Sequence, residues 1–183
     1  APKKGLFVYF RVINTITMTQ NPSHKFTPAG FIKLMSFLHM GIAATPIILG
    51  AMFYFNNDDP KLMSTDSNDF FLAIVPIVAL ASIYMGDLFF KKMLASTPKN
   101  EGLRAKLAKF QTASIIKYAL LEGASLFSIV IFANTQNLIY LIIGAFLICY
   151  LFLQRPTGQK IEAALNLQGE EKAKFNRLEE PLI

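Results

Sequence analysis

ASIIKYALLEGASLFSIVIFA, residues 113–133, is long enough to cross a bilayer, yet it carries Lys117 and Glu122 inside it. A hydrocarbon core takes about 20 residues of apolar helix. An ionisable side chain at that depth is costly, which makes each of the two a candidate functional residue. Three more apolar blocks stand beside this one, at residues 31–55, 70–90 and 138–153. Together they predict an all-α fold, an integral membrane four-helix bundle.

The totals agree with that reading. The chain of 183 residues is 53% hydrophobic with a mean hydropathy of +0.40, and the excess lies in the four blocks rather than being spread as in a soluble core. The net charge of +6 has two readings, nucleic acid or an anionic membrane surface. Clusters that flank apolar spans favour the membrane, so no nucleic-acid partner is expected. One cysteine, Cys149, sits inside an apolar block and is expected to be a small buried hydrophobe. A disulfide framework within the chain is therefore excluded. No P-loop, zincin, C-x-x-C or nucleophile-elbow motif occurs, and His24 and His39 are far apart. The chain reads as not an enzyme, with no cofactor and no metal.

Taken in order, residues 1–30 form a separate segment. GLFVYFRVINTITMTQ places Leu6, Phe10 and Ile13 at near-helical spacing and predicts an amphipathic interfacial helix. Its β-branched content makes a strand the rival reading. Lys3 and Lys4 resemble the start of a signal peptide, but Arg11 cuts the apolar run that follows. The loop 56–69 is acidic, and Asp58 and Asp59 are candidate cation ligands, although no EF-hand spacing is present. The connection 91–112 is basic, with Lys91, Lys92, Lys99, Arg104, Lys106 and Lys109 against Glu101 alone. A short helix over 100–110 is expected there, its Leu103, Leu107 and Phe110 facing the membrane. Lys92, Lys99, Arg104, Lys106 and Lys109 are the candidate docking residues for anionic headgroups or an acidic partner. The turn 134–137 is too short for anything but an antiparallel hairpin between spans three and four. Residues 155–183 form a cytoplasmic tail of mixed charge, read as short surface helices with a frayed end.

The loops also give an orientation. Lys/Arg residues gather in 1–30, 91–112 and the tail, while 56–69 holds only Lys61 and 134–137 holds none. By the positive-inside rule both termini and the middle connection are cytoplasmic. With that topology the intramembrane polar residues fall into one half of the bundle. Asp87 is about one turn in from its cytoplasmic end and Lys117 less than two, a depth difference of a few ångströms at ~1.5 Å per residue. An Asp87–Lys117 ion pair is expected, with Lys91 as the alternative partner of Asp87. Lys117 and Glu122 point about 140° apart on their helix and do not pair. Glu122 is expected near the centre of its span. Desolvation disfavours a bare carboxylate there, so its carboxyl is expected to share a hydrogen bond with Tyr118, Ser125 or a neighbouring helix, His39 being a further candidate. These four make up the candidate intramembrane proton site.

Two resemblances follow from these residues. ALLEGASLFSIVIFA, residues 119–133, resembles the Glu-bearing helix of rotary ATPase proteolipid subunits. That resemblance implies a carboxylate that carries H⁺ or a cation, although span two lacks the close-set glycine row of those subunits. The same span with the tail RPTGQKIEAALNLQGEE resembles small bacterial four-span membrane proteins without an assigned activity. It implies the architecture and the bacterial cytoplasmic membrane. The expected role is a non-catalytic subunit that assembles with or stabilises a larger membrane complex, its partners being lipid and other membrane subunits. The alternative is a proton- or cation-handling protein that uses Glu122.

Overall fold

The computed structural model describes residues 26–57, 60–62, 69–98 and 101–182. The N-terminal amphipathic segment, the Asp58–Asp59 pair and Lys99 lie outside them. Six helices follow in order: α1 (Pro28–Phe55), α2 (Phe71–Ala95), α3 (Leu103–Thr135), α4 (Leu138–Leu153), α5 (Gly158–Leu165) and α6 (Gly169–Asn176).

Local chemistry sets most of the helix ends. Thr27 caps α1 by accepting from Gly30 N at 3.1 Å, and Pro28 takes the first position, where its missing N–H costs nothing. Asp69 Oδ1 accepts from Phe71 N at 3.0 Å at the start of α2. Gln136 adopts φ 59° and ends α3, and the next residue, Asn137, caps α4 through Ile139 N at 3.1 Å. Pro156 follows α4, and Thr157 restarts the chain as the cap of α5.

α3 is the central helix. Half of its most apolar window is buried, against 28% in α1 and 22% in α2. Contacts fix the packing directions. Val75 clusters with Ile131 and Phe132 at one end, while a Cβ at Gly86 would touch Lys117 at the other, so α2 runs antiparallel to α3. Ser125 reaches Gly144 and Ser128 reaches Tyr140, so α4 is antiparallel to α3 as well. The loops at the far end are joined by backbone bonds, Lys61 N to Gln136 O at 3.0 Å and Leu138 N to Lys61 O at 2.8 Å.

α1, α2 and α3 are each long and apolar enough to cross a membrane, and a fourth crossing results if α4 and α5, bent 81° apart, count as one span. Large side chains face outward from these helices, among them Phe37 at 77%, Leu80 at 67% and Phe146 at 59% exposure. Contiguous apolar surface of that kind is not left against water. These features are those of a multi-pass membrane protein.

The opposite end is different. Phe31, Met35, Leu107, Ile161 and Phe175 are all within 1% of full burial and belong to one cluster built from α1, α3, α5 and α6. This cap corrects two expectations, and α4 a third. Residues 103–110 are not a separate helix facing the membrane. They are the first turns of α3, whose 33 residues extend about 50 Å, beyond a core of about 30 Å, and their apolar side chains enter the cap. The tail does form two short helices, α5 and α6, but its end is not frayed. It packs through Ile161, Leu167 and Phe175, and its last residues bond α1's entry, Leu182 N to Phe26 O at 2.8 Å and Ala29 N to Leu178 O at 2.9 Å. Cys149, expected to be buried, is on the exposed face of α4.

Candidate functional site

α4 has only 16 residues, about 24 Å of helix, and is the shortest of the four apolar helices. The chain just beyond it bonds two of its last carbonyls, Gln154 N to Leu151 O at 2.9 Å and Arg155 N to Phe152 O at 3.1 Å, and its C-terminus carries the negative end of the dipole. The polar residues of α1 and α3 gather there. His39 lies against Leu151 O at 2.8 Å. A carbonyl only accepts, so His39 Nε2 carries the proton. Its Nδ1 is buried without a hydrogen-bond partner among the described residues. The edge of the Tyr118 ring meets His39 at 4.9 Å between centroids, and Tyr118 donates to Gln154 O at 3.1 Å. Lys160 reaches back from α5 to Leu153 O at 2.6 Å.

Lys117 completes the layer. Its ammonium lies 2.5 Å from Asp87 Oδ1 and donates to Gln154 Oε1 at 2.9 Å, and it stands 5.4 Å from the centre of the Phe90 ring. Tyr150 donates to the other oxygen of Asp87 at 3.4 Å. Burial is unequal within the pair, with the Lys117 side chain 10% exposed and that of Asp87 38%. Gly86 makes the approach possible, because a Cβ there would sit 3.3 Å from Lys117 Cγ. Lys91 forms no ion pair or hydrogen bond with Asp87, and its side chain is exposed.

Glu122 is placed elsewhere. Tyr118 is committed to Gln154, Ser125 donates to Gly144 O at 3.1 Å, and His39 to Leu151. None of the three meets Glu122. Ser125 is one turn from Glu122 and level with Gly144, so Glu122 lies near the level of α4's middle turns. It is half-buried at the outer edge of α3, with no hydrogen-bond or ion-pair partner among the described residues. Beside it Ala119 and Gly123 are exposed, and a Cβ at Gly123 would meet nothing within 4 Å.

The basic residues of the middle connection are largely engaged within the chain. Lys106 lies 2.7 Å from both oxygens of Glu171, Lys109 is 3.5 Å from Glu101, and Arg104 stands over the ring of Phe26 at 5.4 Å. Lys92 is exposed. Sequence reasoning did not find Gln154, Tyr150 or the α4 carbonyls. The shortness of span four was their signal, since a helix that ends early offers its last carbonyls to side chains of its neighbours as well as to the backbone beyond it.

Chemically the layer positions charge and caps a helix. Among the described residues no group of three or more His, Cys, Asp and Glu side chains is placed to hold a metal ion. No family model, curated protein or solved structure matches the chain.

Proposed function

We propose that this chain is a non-catalytic subunit of a larger membrane protein complex. In this reading it crosses the bacterial cytoplasmic membrane four times, with both termini and the α2–α3 connection on the cytoplasmic side. The observation that carries the proposal is Glu122, a carboxyl group at the outer edge of α3 with no partner among the described residues. Ala119 and Gly123 beside it are four residues apart, and such pairs of small residues let a second transmembrane helix approach closely. A donor on that helix would satisfy Glu122. The polar layer at the end of α4 then serves to fix the bundle that presents this face.

Copurification at defined stoichiometry tests the proposal. Glu122→Gln keeps the hydrogen-bonding shape and should retain the partner, whereas Glu122→Leu and Gly123→Leu should lose it. Retention by all three variants would refute the role of this face. Reporter fusions after Asn57 and Lys99 should read external and cytoplasmic, and the reverse pattern would refute the orientation. A second reading, reversible protonation of Glu122 coupled to ion movement, is favoured by the same lack of a partner. It requires Glu122→Gln to assemble normally and abolish a pH-dependent flux in proteoliposomes.

A further inference from the structure

A cleft of about 950 Å³ opens between the end of α2, the start of α3 and the α5–α6 corner. Five charged side chains line it, Asp87, Lys91, Lys106, Lys117 and Glu171. They are unequally available. Lys106 and Lys117 are each paired with a carboxylate, and their side chains are only 12% and 10% exposed. The carboxylates that neutralise them, Glu171 and Asp87, remain 31% and 38% exposed. Lys91 is exposed and has no partner among the described residues. An entering ligand therefore meets one uncommitted ammonium and the open sides of two carboxylates. Phe90, Leu94 and Leu165 supply an apolar wall. The cleft adjoins the level where α4 ends, which is headgroup depth if the helices span a bilayer.

A purely anionic ligand would lie against Asp87 and Glu171, and a purely cationic one against Lys91. A group that carries a phosphate and a primary ammonium satisfies both signs. We propose that this cleft binds the headgroup of an aminophospholipid, its phosphate at Lys91 and its ammonium at Asp87 and Glu171, with the glycerol and chain roots along Phe90 and Leu94. Choline headgroups fit less well, because a quaternary ammonium has no N–H to donate to a carboxylate. Glycerol headgroups offer the carboxylates hydroxyl donors but no positive charge. The inference rests on the membrane-spanning reading alone and not on the subunit role.

The test is a lipid titration of the full chain purified in detergent, read by native mass spectrometry and by thermal unfolding. Phosphatidylethanolamine should be retained and should raise the melting temperature, with phosphatidylcholine and phosphatidylglycerol weaker. Lys91→Glu should weaken phosphatidylethanolamine binding about ten-fold, as expected for the loss of one charge-assisted hydrogen bond. Lys91 is exposed and unpaired, so this variant leaves the fold intact. Lys92→Glu makes the same charge change one residue away, outside the cleft, and should leave binding unchanged. Equal loss in both variants would reduce the effect to diffuse surface charge and overturn the proposal. Preference for phosphatidylglycerol, or no preference among lipids, would also overturn it. Soluble O-phosphoethanolamine is the arm that separates a lipid from a free ligand, and equal protection by it would overturn the lipid assignment. Failure of the chain to enter bilayers at all would instead refute the membrane-spanning reading.

Discussion

Removing Asp87 should cost more than removing both members of its pair with Lys117. The Lys117 ammonium is nearly covered and has two polar partners, Asp87 and Gln154. Breaking a buried ion pair from one side costs about 3–5 kcal/mol. Asp87 is 38% exposed, so water screens its share and the expected cost of Asp87→Ala falls to about 2 kcal/mol. Lys117→Met keeps the side-chain stem against Gly86 and removes the charge. It leaves Asp87 with water and Tyr150 as partners, at a cost of about 1 kcal/mol. The double variant has no orphaned charge and should also sit about 1 kcal/mol below wild type, so the coupling is about 2 kcal/mol. The assay is reversible unfolding in mixed micelles, followed by circular dichroism because the chain has no tryptophan. Additivity of the two single changes to within about 0.5 kcal/mol would refute the reasoning.

Three further outcomes are expected. His39→Leu removes one of the two donors to Leu151 O, leaving the Gln154 N–H at 2.9 Å, and should cost about 1 kcal/mol, so a melting curve identical to wild type would show that the bond contributes nothing. Gly86→Leu forces a side chain into Lys117 and should destabilise by about 2 kcal/mol, whereas Gly123→Leu points into open space and should stay within about 0.5 kcal/mol; equal melting of the two variants would contradict the packing of α2 on α3. The Glu162 carboxyl is held below its ordinary value of 4.5, chiefly by a hydrogen bond from Lys172, so its contribution is present above that value and is lost as the pH falls through the lowered one. A Lys172→Met variant should therefore melt below wild type at about pH 6, with the gap narrowing as the pH falls below 4.5, and a gap unchanged in acid would contradict the assignment.

How far the chain could be read before its structure depends on the physics of each feature. Helices and some of their ends were legible because their causes are local. Pro156-Thr157 stops one helix and caps the next through its own backbone and side chain, whereas the caps at Thr27 and Asn137 emerged only from the structure. The approach of Asp87 to Lys117 was also legible, since two antiparallel helices with a common boundary bring residues of equal depth together. Hydropathy, however, reports the solvent around a helix and not the continuity of its backbone. It cut α3 near residue 113, although nothing between Leu103 and Ala113 breaks a helix. The apolar residues of the tail, Ile161, Leu167 and Phe175, come from different elements and share no single periodicity, so their common burial was invisible. The rotation of a helix about its axis is set by what its neighbours fill. That alone turned Cys149 outward, gave Tyr118, Ser125 and His39 to the carbonyls of α4, and left Glu122 at the outer edge of α3. The sequence by itself determined which stretches are apolar helices, that Asp87 and Lys117 lie at one level, and which connections are basic. Only the tertiary structure decided which way each side chain faces, because facing is a property of the packed set and not of any one helix.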